Sequence, residues 1–400
     1  MTTSYRRKLS ANERVLLMTD CLCPPIVNQC VVEGTGELDP DRWKKAVAEA
    51  SAANPGTRVT LKGALFLSSW VDSGNTPLVR EVKNCTWDGY GPEGAPFLNT
   101  RLNPFTGPVC EVVLLPGDPT RVVFRSCHAA LDGRGHVLWM KDIFRVLSGK
   151  PPLGSDGTLT DVDMARRFNK GFRDRYPDEH LPPTGRAQGT ESGVVWKRVS
   201  LKGKYFKVVP KIAVLTAKEA WKHGDGIVRF GIPVDMRIHD RKVRSTANLV
   251  FGITIEVTKA STPDEIGKKI LTMISNKDDL EIFRGEEIVR YLPLWFIKRH
   301  AEKIMAKRHK TGLYNITGYI SDMGFFNLKA FSGGGFDAKG FFPIPSFVEM
   351  LPFFLDLASY GNEKEGYTQE LVLTMPKKFA SNGRFDAILN RLKEGLEEMR

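Results

Sequence analysis

The chain has 400 residues, 42% of them hydrophobic and 26% charged, the proportions of a globular protein with a sizeable core and not those of a disordered or fibrous chain. Its 58 Lys and Arg against 46 Asp and Glu leave a net charge of +12, which points to acidic partners. Nucleic acid is set aside as a partner because no zinc module, RNA-binding signature or other recognition motif accompanies the charge. No stretch approaches an uninterrupted membrane span or a signal-peptide core, so no transmembrane segment and a cytoplasmic location are expected.

In chain order, Asp39 is a plausible N-cap with Pro40 at the first helical position, opening an amphipathic helix to about Ala52. The run 121–126 is β-prone, Asp132-Gly133 is a turn signal, and 136–147 carries apolar residues at helical spacing. Pro and Gly then crowd the polar interval from Ser148 to about Gly193, which marks a boundary. Beyond it, 227–234 and 249–257 read as buried strands, and Thr262 with Glu265 forms a capping box for a helix to about Ser275. Basic residues concentrate in 298–310 opposite Ile297, Ala301, Ile304 and Met305, giving an amphipathic basic helix whose simplest reading is a solvated face. Ser332-Gly333-Gly334-Gly335-Phe336 lacks the Lys-Ser/Thr ending of a phosphate loop and reads as a mobile loop. The aromatic run 341–347 with Phe353 and Phe354 suits either core packing or the lining of a ligand channel.

All six cysteines fall between Cys21 and Cys127, without paired CxxC spacing or a histidine at zinc-site spacing, and read as reduced thiols with no metal site. The chemistry concentrates in Cys127-His128-Ala129-Ala130-Leu131-Asp132-Gly133, a histidine and a carboxylate four residues apart where a strand turns into a helix. An ordinary imidazole with a pKa near 6.5 is largely neutral at pH 7 and can accept a proton from an attacking group. Asp132 has two possible tasks: orienting His128, or holding the turn by pairing with an arginine elsewhere. Cys127 points to the opposite face of the strand and reads as a structural thiol. His136 sits beside the turn, where a capping or surface role is expected, and His223 reads as a loop residue.

The motif resembles the HHxxxDG signature of condensation domains and the HxxxD signature of the chloramphenicol acetyltransferase-like superfamily. Further segments are similar in the same order: 9–14 and 36–42 near the start, Asn103 to Pro108 before the motif strand, Pro233 to Arg237, Thr246 to Gly252, and Ile320 to Gly324. The sequence departs from the condensation-domain pattern at the first histidine, which here is Cys127, as other branches of the superfamily also do. The resemblance implies an α/β (α+β two-layer) fold of two chloramphenicol acetyltransferase-like lobes, forming a V with an interface tunnel open at both ends. The N-terminal lobe would span 1–150 and carry the motif, 151–192 would link, and the C-terminal lobe would span 193–400.

The same resemblance implies His128 as general base, Asp132 in a salt bridge with Arg237, and Gly133 in the catalytic turn. Ser321, Gly324 and Asn248 are its substrate-binding or oxyanion candidates. It also implies a free-standing condensation-type acyltransferase in natural-product biosynthesis. Such an enzyme transfers an acyl or aminoacyl group from a phosphopantetheinyl carrier-protein thioester to a small-molecule amine or alcohol, with no bound cofactor and with the acyl or peptidyl carrier protein acting in trans. Two alternatives stand beside it: a coenzyme A-dependent O- or N-acyltransferase of the same superfamily, and a non-catalytic carrier-protein-binding module.

Overall fold

A computed structural model describes residues 5–400 as a mixed α/β protein. Its first main sheet has five strands in the order Phe336–Ile344, Val27–Gly36, Thr120–Cys127, Cys110–Leu115 and Leu78–Glu81. The second has six, in the order Val250–Val257, Val228–Asp235, Gly318–Phe326, Phe354–Asn362, Gly366–Pro376 and Val194–Lys202.

Helices Pro40–Ala53 and Gly133–Leu147 cover one face of the first sheet, where Trp43, Phe124, Trp139 and Phe144 interlock. Local chemistry starts the first of these helices as the sequence suggests: Asp39 accepts from the backbone of Asp41 and Arg42 with Pro40 in the first turn. Ser10 and Glu13 form a reciprocal capping box on helix Ala11–Leu22. Helices Val208–Trp221 and Arg384–Glu398 cover the second sheet, burying Ile212, Leu215, Leu392 and Leu396.

The motif strand Thr120–Cys127 is central in its sheet and buried on both faces, which explains its lack of polar alternation. Val122 and Phe124 face the helices, while Val123 joins Val31, Trp87 and Phe342 in a further core with Trp196 and Val372 of the second sheet. An ion network fastens the same junction: Arg198 is bidentate to Glu370 at 2.8 Å per bond and reaches Glu33 of the first sheet at 2.9 Å.

Two features cross the sequence divisions. Strand Phe336–Ile344 leaves the other late strands and pairs antiparallel with Val27–Gly36 at the edge of the first sheet. The interval 151–192 is not wholly irregular, since it holds helix Asp161–Arg167 and strand Phe172–Arg173, which pairs with Ile282–Phe283. The aromatic run at 341–347 is packed as core: Phe341 and Phe342 are fully buried, and Phe341 stacks on Phe326 with centroids 3.8 Å apart. The glycine run is likewise a tight turn, with Gly333, Gly334 and Gly335 all at positive φ, closing against the backbone at Gly36.

Candidate active site

The motif strand ends at Cys127, and the chain reaches the helix Gly133–Leu147 through a turn in which Ala130 and Leu131 both donate to the Cys127 carbonyl, at 3.0 and 3.1 Å. Three carbonyls of this turn are each held by a side chain from a different part of the chain. Asn248 Nδ2 donates to the His128 carbonyl at 2.9 Å, Arg7 to that of Ala130 at 2.7 Å, and Asn28 to that of Leu131 at 2.7 Å. Arg7 is itself buried and paired with Glu13, which also accepts from the Trp70 indole at 3.1 Å. Buried carbonyls without donors are costly, so these three bonds fix the backbone that carries His128.

Asp132 is fully buried and caps the motif helix, its Oδ1 accepting from Gly135 N at 2.6 Å. Oδ2 accepts from Leu249 N at 2.6 Å and from Arg237 Nη1 at 3.0 Å. None of these bonds goes to His128. Arg237 is also buried, and its remaining donors reach Asp235 Oδ1 at 2.6 Å, the Ser245 carbonyl at 3.1 Å and the Ala247 carbonyl at 2.6 Å. The pair therefore ties the motif helix to the segment 245–249 that delivers Asn248. Gly135 lies at the same junction, where a Cβ would stand 2.3 Å from the Thr246 carbonyl oxygen, so only glycine lets the two backbones approach. Gly133 is less confined, its nearest neighbour being Met323 Cε at 3.5 Å from a Cβ.

His128 is half-buried, and enough protein surrounds its ring for desolvation to lower its pKa below 6.5. The carbonyls of His128 itself and Leu131, and the charge of Asp132, oppose that shift. The net direction leaves a neutral imidazole at pH 7. Asn248 Nδ2 lies 3.5 Å from Nδ1, at the limit of hydrogen-bond range. Cys127, one residue away, packs into the apolar core of the first sheet, and burial pushes its thiol up to about 12, so it is not a nucleophile.

The structure thus gathers His128, Asp132, Gly133, Arg237 and Asn248. It does not join Ser321 or Gly324 to them by hydrogen bonds; Met323, between those two residues, is the one that reaches the motif helix. Ser321 pairs across strands with Asp356, whose buried carboxyl is raised to about 7 by desolvation, with Asp322 adding to the shift. Gly324 sits at φ +82° with its N–H on Asp322 Oδ1 at 2.8 Å.

The expected capping or surface role of His136 is corrected: the residue is fully buried, and desolvation lowers its pKa to about 3 against the opposing effect of the Phe124 backbone. Helical phase places it with Trp139, Met140 and Ile143 on the face that packs against the sheet. Two surface cavities, of about 590 Å³ beside Glu33, Trp87 and Arg121 and about 460 Å³ beside Arg42, Glu49 and Lys150, lie away from the motif. Among the described residues no cluster of His, Cys, Asp or Glu has the arrangement of a metal site, and no helix is long and apolar enough to cross a membrane.

No family model matches the sequence, and no curated protein matches it. Solved structures do. The first condensation domain of the calcium-dependent antibiotic synthetase, in complex with substrate analogue 2a, aligns over 98% of this chain and 96% of its own, with a TM-score of 0.68 and 13% identity. The same domain with substrate analogue 3a gives a TM-score of 0.66 at 12% identity over 99% and 96% of the two chains. A mutant of the starter condensation domain of rhizomide synthetase RzmA, in complex with C8-CoA, aligns over 98% and 94% with a TM-score of 0.66 and 14% identity. The chain has the condensation-domain fold. At such identities the likeness shows a shared fold that runs nearly end to end, and activity has to be argued from the site.

Three contributors to the site have no sequence signature: Arg7, Asn28 and the particular bond made by Asn248 all act on backbone carbonyls. Gly135 did have one. A glycine in the first turn of a helix costs about 1 kcal/mol relative to alanine, so its presence signals close backbone contact.

Proposed function

We propose that the protein is a condensation-type acyltransferase that moves an acyl or aminoacyl group from a carrier-protein thioester to an amine or alcohol, with His128 as general base. The observation that carries this reading is His128 itself: half-buried, its imidazole biased toward the neutral form, and mounted on a turn whose carbonyls and helix cap are all tied down. The condensation-domain fold over 98% of the chain supports it.

In this mechanism the acceptor's amine or hydroxyl attacks the thioester carbonyl while the unprotonated ring nitrogen of His128 takes its proton. The tetrahedral oxyanion collapses with loss of the thiolate, which recovers the proton from the imidazolium. No covalent acyl-enzyme forms. Asp132 and Arg237 act as positioning residues, and Gly133 N–H, Asn248 or the Ser321–Gly324 segment supplies oxyanion or substrate contacts. The two lobes form a V, and donor and acceptor enter from opposite faces to meet at His128, which replaces a bimolecular encounter with a positioned one. The work is done in the cytoplasm as a step of natural-product assembly.

A second reading, with acyl-coenzyme A as donor, draws support from the RzmA domain that holds C8-CoA and from the net charge of +12. The test is release of free thiol from acylated carrier proteins and, separately, from acyl-coenzyme A, with amine and alcohol acceptors present. Transfer from the carrier that disappears in His128→Ala is the expected result. Carrier binding without turnover, unchanged by His128→Ala, would instead identify a docking module and overturn the proposal.

A further inference from the structure

The turn Leu65–Leu67 packs against the turn Glu286–Tyr291, and helix Leu294–Thr311 follows the latter after Leu292 and Pro293. The rings of Phe66 and Tyr291 lie 5.3 Å apart and those of Trp295 and Phe296 5.9 Å apart. Phe66, Leu67, Ile288, Tyr291, Trp295 and Phe296 are all exposed, Leu67 at 65% and Trp295 at 67%. Single exposed apolar residues are ordinary, but six of them on two turns in contact and on the helix that follows mark an interaction surface. Leu65 holds its turn at φ +50°, a left-handed conformation disfavoured by about 1 kcal/mol or more for a residue with a branched side chain.

The helix behind the tip buries fully only Ala301. At 100° per residue, the exposed Trp295, Phe296, Arg299, His300, Lys303, Lys307 and Lys310 fall on one face roughly 140° wide and about 22 Å long. That face carries no carboxylate. Among the described residues Arg299, Lys303 and Lys310 have no ion-pair partner, and Lys307 has only Asp178 at 3.8 Å. An aromatic tip beside a strip of free cations matches an anionic fluid interface, where aromatic rings lodge at headgroup depth and lysines lie along the phosphates.

We propose that this surface docks the protein onto a membrane leaflet rich in anionic phospholipid. The apolar tip inserts among the headgroups, and the basic face of helix Leu294–Thr311 lies along them. The proposal involves none of the residues around His128 and does not depend on the reaction catalysed there.

The test is co-sedimentation with phosphatidylcholine vesicles prepared with and without phosphatidylglycerol, together with quenching of tryptophan fluorescence by brominated lipid. Trp295 is the exposed indole, since Trp43, Trp70, Trp87, Trp139 and Trp196 are buried and Trp221 is half-buried, so quenching reports on the tip. Binding should require phosphatidylglycerol and fall in high salt. Quenching should vanish in Trp295→Phe. The double variant Arg299→Gln/Lys303→Gln should bind about 25-fold more weakly with an unchanged thermal melt. Absence of binding at low salt, equal binding without phosphatidylglycerol, or indifference to the double variant would overturn the proposal. So would a self-association, or a capture of acidic carrier protein, that Trp295→Ala abolishes while no vesicle binding is seen.

Discussion

Replacing Arg237 by methionine separates a structural from a chemical role for the buried pair. The substitution keeps much of the side-chain volume but removes the partner of a fully buried carboxylate, and losing one member of a buried ion pair costs about 3–5 kcal/mol. Asp132 retains the Gly135 and Leu249 N–H groups and the helix N-terminus, which places its share near the lower end. The Ser245 and Ala247 carbonyls then lose their donors, each worth about 1 kcal/mol. The sum, about 5 kcal/mol, is a large part of the 5–15 kcal/mol typical of a whole domain. Asp132→Asn should cost less, about 2–3 kcal/mol, because Arg237 keeps Asp235 at 2.6 Å. Urea unfolding measures both, and transfer assays on the folded fraction complete the comparison. Stability within about 1 kcal/mol of the parent, combined with loss of turnover, would refute the latch and put the pair in the chemistry.

Three other outcomes are expected. His128→Ala should lower transfer by about 10² to 10⁴-fold without moving the urea midpoint; turnover within a few-fold of the parent removes the general base. Gly135→Ala should destabilise by about 1–3 kcal/mol, since its Cβ would meet the Thr246 carbonyl, whereas Gly133→Ala should be neutral or stabilising because it meets only the flexible end of Met323; equal melting temperatures for the two would contradict the close approach. For pH, His136 has a folded pKa near 3 against an unfolded value near 6.5, so between these limits the unfolded chain binds the extra proton. Its contribution is complete above 6.5 and is lost as pH falls, by about 2 kcal/mol at pH 5. Urea unfolding of His136→Leu at pH 7 and 5 should therefore show a shallower acid loss than the parent, and an identical loss would contradict the buried neutral ring.

What was legible in the sequence is what local interactions decide. The strand, turn and helix around the motif, the caps at Asp39 and Thr262, and the extent of the basic helix all follow from short-range patterns. His136 shows how such a pattern is overruled too readily. Its spacing from Met140, Ile143 and Leu147 already placed it on the apolar face of the helix, yet the polarity of imidazole suggests a surface position. The crossover of Phe336–Ile344 to the first sheet was not legible, because a strand's own alternation does not name the neighbour it pairs with.

The same distinction governs the site. His128 and Asp132 stand out because a side chain that reacts or caps must be of a particular type at a particular spacing. The groups that aim them need only bring an N–H to a carbonyl, and Arg7, Asn28 and Asn248 do so across separations of 123, 103 and 120 residues. Such contacts leave no periodicity to read. They matter under the proposed mechanism because an imidazole that takes a proton from an attacking group tolerates little displacement, and a misplacement of about 1 Å is enough to cost roughly 10²-fold in rate. Precision at His128 therefore rests on a turn pinned from three remote points and on a helix cap tied to segment 245–249. Substitutions at Arg7 or Asn28, which approach no reacting atom, should accordingly lower turnover in the folded protein, and restoring a donor with Arg7→Lys or Asn28→Gln should recover part of it.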